Sequence, residues 1–154
     1  MIRTFQHYDL RDRNTFRMKV YCRTFIEYDS EDDLQELVPA LLPSPDEHIG
    51  GSSDSIRNTA RLKHIGGGSN LLFTGDFPGT VLHSAIRHID VISDSDDEVL
   101  VRVGAGVEFD KLCEWAAGRG LWGPENLSHI PGEAGAAAVQ NIGAYGVEAK
   151  DIIR

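Results

Sequence analysis

Apolar and polar residues alternate along parts of this chain and fall at helical spacing along others. Met18, Val20 and Cys22 alternate with Arg17, Lys19 and Tyr21, which predicts a half-buried strand over Arg17 to Cys22. Arg23 to Tyr28 predicts a second extended piece. Ile89, Val91, Val99, Val101 and Val103 alternate around the acidic run Asp94 to Glu98. That pattern predicts strands at His88–Ser93 and Val99–Val103, joined by a solvated turn. Leu34, Leu37, Val38 and Leu41 stand at i, i+3, i+4 and i+7, one stripe of a helix. Ser30 opens that helix with Asp33 at capping-box spacing, and Pro43 and Pro45 end it. Phe109, Leu112, Cys113 and Ala116 share a face of a second helix, from Val107 or Glu108 to Gly118 and Gly120, with Trp115 packing on its shoulder. Strands and helices in this mixture predict an α+β chain.

Residues 43–61, with Pro43, Pro45, Gly50, Gly51 and a serine run, predict a mobile surface loop with a helical turn near Ile56 to Ala60. The length of 154 residues is that of a chain able to bury a core of its own. Its net charge of −9 argues against a nucleic-acid partner, which a basic face would serve better. Cys22 and Cys113 lack metal or redox spacing and read as buried thiols of a reducing compartment. The N-terminus has no signal-peptide core and no stretch reaches membrane-helix length, so a cytoplasmic protein without membrane partners is expected.

Glycine is concentrated where chemistry would need bare backbone. Extended Leu62-Lys63-His64-Ile65 runs into Gly66-Gly67-Gly68-Ser69-Asn70. Such a segment is either a plain turn or a set of amides free to converge on an anion. A P-loop is excluded, because none of Lys19, Lys63, Lys111 and Lys150 follows a glycine. Gly104-Ala105-Gly106 begins like a dinucleotide fingerprint, but Phe109 stands where the third glycine belongs. Ala134 to Gln140 predicts a helix almost without side-chain bulk, followed by the small-residue loop Asn141 to Gly146. Its bareness suits either tight packing on a sheet or a large flat cofactor carrying phosphate. His64 and His129 have no acid or thiol in ligand spacing and read as structural, and no metal site is expected.

Taken together, Gly66-Gly67-Gly68-Ser69-Asn70-Leu71-Leu72, Val103-Gly104-Ala105-Gly106, Ile130-Pro131-Gly132 and Gln140-Asn141-Ile142-Gly143-Ala144-Tyr145-Gly146 resemble the UDP-N-acetylenolpyruvoylglucosamine reductase (MurB) family. Asn14-Thr15-Phe16 matches its usual opening, so the resemblance runs from about Asn14 to Arg154. It implies an FAD-binding fold of the vanillyl-alcohol-oxidase (PCMH) type, in two small α+β subdomains near 1–74 and 75–154, the second incomplete. It also implies that Gly66, Gly67, Gly68, Ser69 and Asn70 cradle the FAD pyrophosphate. Ile130, Pro131, Gly132, Gly135, Ala136, Ala137, Asn141, Gly143 and Ala144 would line the rest of the cofactor, and Tyr145 would lie at its reactive, substrate-facing end. The family passes hydride from NADPH through flavin to an enolpyruvyl UDP-sugar, giving UDP-N-acetylmuramate for the bacterial cell wall and hence for cell shape and division.

Members of that family are roughly twice this long, and their proton-donating Ser, catalytic Glu and substrate-side Arg come later than residue 154. The resemblance therefore implies a flavin-binding N-terminal portion that is inactive alone and whose open sheet edge favours self-association. A strand is expected to start at Asp151-Ile152-Ile153-Arg154. Glu133 stands where many members carry a small neutral residue, and it is expected to face solvent, away from any pyrophosphate. Two rival readings are a flavin oxidase of the same superfamily and a flavin-free binding module.

Overall fold

A computed structural model describes residues 1–41 and 61–154. The expectations for Pro43, Pro45, the loop and the turn near Ile56 lie outside the described residues. Two compact units are formed, Met1–Ile65 with Leu72–His83, and Gly66–Leu71 with Ser84–Arg154. Each mixes strands and helices, as the α+β expectation requires.

The first unit is built on a four-stranded sheet in the order β1-β2-β4-β3, comprising β1 (Arg3–Asp9), β2 (Tyr21–Tyr28), β3 (Leu62–Ile65) and β4 (Phe77–Ser84). β1 and β2 are antiparallel, with Phe5 opposite Phe25, and β3 and β4 are parallel. The two pieces expected at 17–22 and 23–28 are a single strand that begins only at Tyr21. The cause is Asn14. Its side-chain amide donates to the Leu10 and Met18 carbonyls at 2.8 and 3.1 Å, and its Oδ1 accepts from the Met18 amide at 3.0 Å. Residues 14–18 are thereby held in a turn, with Arg17 in the left-handed region at φ 51°, and the strand starts after it. In β4, Gly79 lets the Arg61 carbonyl approach and accept from the Thr80 amide at 2.7 Å.

Cys22, Phe25, Val81 and Leu82 form the buried centre of this unit, and Tyr8 stacks on Phe25 with ring centroids 4.2 Å apart. Fully buried His83 is set into the same core. Its Nδ1 lies 2.8 Å from Glu27 Oε2, while Arg13 donates to the same oxygen at 2.9 Å and Arg3 to Oε1 at 2.5 Å. α1 (Glu31–Leu41) starts as the capping pattern predicts, with the Asp33 amide donating to Ser30 Oγ at 3.1 Å. The Asp33 carboxylate reaches back one residue further than expected, to the Asp29 amide.

The second unit contains the predicted hairpin, β5 (Ile89–Asp94) and β6 (Val99–Val103), closed by the Ser95 amide donating to the Glu98 carbonyl at 3.0 Å. α2 (Phe109–Ala117) buries Phe109, Cys113 and Ala116, three of the four residues expected on that face. Arg119 lies 4.2 Å over the Trp115 ring. α3 (Ala134–Gln140) and the two-residue strands β7 (Gly143–Ala144) and β8 (Val147–Glu148) follow. The strand expected at 151–154 is instead the end of a short helix, α4 (Ala149–Ile152). Glu148 and Asp151 form a reciprocal capping box there, which fixes a helical turn where the apolar residues alone suggested extension.

Leu127, Phe109, Cys113 and Ala137 make the core of this unit. Burial, with Asp110 nearby, pushes the Cys113 thiol up to about 11, and burial likewise raises Cys22. Both cysteines are free and buried, as the sequence suggested.

Candidate functional site

The site grows from two stretches of the second unit that are poor in side chains. Segment 105–109 runs beside 132–135: the amides of Phe109, Ala134 and Gly135 donate to the carbonyls of Gly132, Val107 and Ala105 at 2.9, 2.7 and 3.0 Å. A Cβ on Gly135 would come within 2.7 Å of the Ala105 Cβ, so its bareness serves packing against 105. α3 is closed by Asn141 in the left-handed region (φ 47°), which asparagine tolerates better than most residues.

Onto this frame folds the loop Gly66–Asn70. Ser69 Oγ donates to the Pro131 carbonyl at 2.8 Å, and Asn70 Nδ2 donates to Gln140 Oε1 at 2.8 Å. Gly66 rests on α3, where an added Cβ would lie 2.8 Å from the Ala136 Cβ. Gly68 (φ 72°) and Gly132 (φ 145°) adopt backbone conformations that side chains disfavour. Among the described residues, no acceptor takes the main-chain N–H groups of Gly66, Gly67, Gly68, Ser69 or Asn70. A Cβ at Gly67 would meet nothing within 4 Å. Successive main-chain N–H groups of this kind can serve an anion such as a diphosphate, although Gly67 is exposed while Gly68 is buried.

Ser69, Ile130, Pro131, Gly132, Ala136 and Ala137 line one hollow together with Phe109, Gln140 and Ile142. Ser69 and Ala136 thus share a cavity, although they are far apart in sequence. Other candidates lie elsewhere in the unit. The Asn141 side chain donates to Glu148 at 2.9 Å and accepts from the Lys150 amide at 2.9 Å. Gly143 and Ala144 pair with 147–148, and Tyr145 stands at the tip of that hairpin, 90% exposed with φ 53°.

Glu133 corrects the sequence reading. It is only 6% exposed; an antiparallel bridge to Glu108 holds its backbone, and its Oε2 lies 3.3 Å from where a Gly66 Cβ would be. His64 is placed structurally by the Tyr28 hydroxyl at 3.2 Å, whereas the His129 ring is 91% exposed. Phe109 and Gln140 were not among the candidate binding residues. The signal for Gln140 was its place four residues after Ala136, on the same face of α3. Among the described residues no cluster suits a metal ion, and no helix is long and apolar enough to cross a membrane.

The model of the FAD binding domain family matches residues 56–154. The chain is 49% identical over 148 residues to the UDP-N-acetylenolpyruvoylglucosamine reductase of Bacteroides fragilis strain YCH46, covering 96% of this chain and 40% of that one. Its identity to the reductase of the same name from Porphyromonas gingivalis ATCC 33277 is 39%, with the same coverage. To that of Pseudomonas aeruginosa PAO1 it is 42%, over 96% of this chain and 39% of the other. The crystal structure of the Thermus caldophilus reductase superposes with a TM-score of 0.66 at 22% identity, over 96% of this chain and 45% of that one. The chain spans about two fifths of the length of these curated relatives. The superposition shows a shared fold.

Proposed function

The chain belongs to the FAD binding domain family, and from that premise we propose that it is the flavin-holding part of a UDP-N-acetylenolpyruvoylglucosamine reductase. The observation that carries the proposal is the row of uncommitted amides at Gly66–Asn70, held beside α3 and the hollow lined by Ile130–Gly132 and Ala136–Ala137. In this reading the amides take the FAD diphosphate. Ile130, Pro131, Gly132, Ala136 and Ala137 give the cofactor an apolar bed, backed by Gly135, and Asn141, Gly143 and Ala144 shape the hairpin that presents Tyr145 toward substrate. The two α+β units are the two flavin-binding subdomains. Bound flavin would supply hydride acceptance and donation, with NADPH as donor and an enolpyruvyl UDP-sugar as acceptor in the longer protein. That chemistry belongs to peptidoglycan synthesis in the bacterial cytoplasm. The 154-residue chain binds the cofactor without turning over.

Equilibrium dialysis against FAD tests this. Saturable uptake by the folded chain is expected, weakened tenfold or more by Gly66→Val, whose side chain would drive the loop off Ala136. A folded chain that takes up no FAD would overturn the proposal and favour a flavin-free module. NADPH-dependent turnover of the enolpyruvyl sugar by the chain alone would overturn its inactivity.

We also propose that the chain self-associates through the β5–β6 ribbon. Among the described residues this sheet has two strands, and it exposes Val91, Ile92 and Leu100. Light scattering should show mass rising with concentration; a constant monomer mass would refute it.

A further inference from the structure

We propose that Gln140 is a positioning residue for FAD, acting through Asn70 to hold the Gly66–Asn70 loop in its binding conformation. The inference rests on the flavin reading above. A loop with three glycines and, among the described residues, no hydrogen bond from its own amides has much conformational freedom to lose on binding. Among the described residues, two side-chain bonds restrain it: Ser69 to the Pro131 carbonyl, 62 positions away, and Asn70 to Gln140, 70 positions away. Only the second ends on a side chain that can be removed without touching the backbone.

Asn70 and Gln140 are both exposed, so their bond adds little to the stability of the fold. Its effect falls on the loop. Ala136 touches one end of the loop at Gly66 and Gln140, one turn later on α3, holds the other at Asn70. One helix face therefore sets the spacing of all five amides. Gln140 also lines the hollow, and with its Oε1 committed to Asn70 its Nε2 hydrogens remain to be donated there. A tie of this kind strengthens binding by reducing the ordering that binding must otherwise impose.

The test uses the full 154-residue chain, with dissociation constants for FAD, ADP and riboflavin measured for wild type, Gln140→Ala, Asn70→Ala and the double variant. Alanine suits a helix end, so the thermal midpoint without ligand should stay within about 2 °C of wild type. FAD and ADP should each bind about three- to tenfold more weakly to either single variant, and riboflavin, which has no diphosphate, should be unchanged. The double variant should lose no more than the worse single one, because both remove the same bond. Wild-type uptake of FAD with unaltered affinity in Gln140→Ala would overturn this inference and leave the flavin reading standing. Losses that multiply in the double variant would overturn it, as would a lowered midpoint with riboflavin weakened alongside FAD. No uptake by wild type would sink the flavin reading, and this inference with it.

Discussion

Gly104→Ala should destabilise the second unit by about 3 kcal/mol or more and lower its melting midpoint by roughly 10 °C. The added methyl would lie 2.3 Å from the Ile86 carbonyl oxygen and 2.6 Å from its carbon. Those are backbone atoms, which cannot rotate away as a side chain would. Two hydrogen bonds fix the approach, from the Gly104 amide to the His88 carbonyl at 2.9 Å and from Gly106 to Ile86 at 3.0 Å. Relieving the clash means parting the start of β5 from the end of β6. Gly67→Ala is the matched control, since its methyl would meet nothing within 4 Å and should leave stability almost unchanged. Thermal melts followed by circular dichroism decide the matter, and a Gly104→Ala chain melting with wild type would refute the packing argument.

The second large effect concerns acid. Burial by itself would raise the Glu27 carboxyl, but the His83 ring, Arg13 and Arg3 outweigh it and hold the group below its ordinary value. A carboxylate whose folded value is depressed stabilises fully above the unfolded value, near 4.5, and loses that contribution as pH falls through the folded one. Glu27→Gln, which leaves two guanidinium groups without their counter-charge, should cost about 3 kcal/mol at neutral pH. Against denaturant, the gap between variant and wild type should close progressively below about pH 4.5, as the wild-type carboxyl is neutralised. A gap that stays constant down to about pH 3 would show that shape, not charge, is what Glu27 contributes.

Where the sequence was legible, a local pattern and the tertiary environment agreed. Val99, Val101 and Val103 alternate because β6 pairs with β5, and Phe109, Cys113 and Ala116 recur because one face of α2 is buried. β1 escaped notice because Arg3-Thr4-Phe5-Gln6-His7-Tyr8-Asp9 has little apolar signal. It is a strand because β2 offers it a partner across the sheet. β4 was hidden by Pro78 and Gly79, ordinarily turn residues, although Gly79 is there to admit Arg61. Gly104-Ala105-Gly106, weighed as a fragment of a nucleotide fingerprint, proved to be a packing device against residues 84–86.

The candidate site divides along the same line. Its bare backbone could be read directly, because missing side chains leave a compositional trace. Its ties could not. Nothing near Asn70 points to Gln140, and buried Glu133 is bridged to Glu108, a residue 25 positions earlier.

Those distant ties also bear on synthesis. The glycine loop leaves the ribosome well before Pro131 and Gln140 exist, and at about 5–20 residues per second it waits roughly 4–14 seconds for the 70th residue beyond Asn70. Throughout that interval the nascent chain carries an unanchored tether, open to proteases and chaperones. Pro131 and Gln140 must be translated before the Gly66–Asn70 loop can settle.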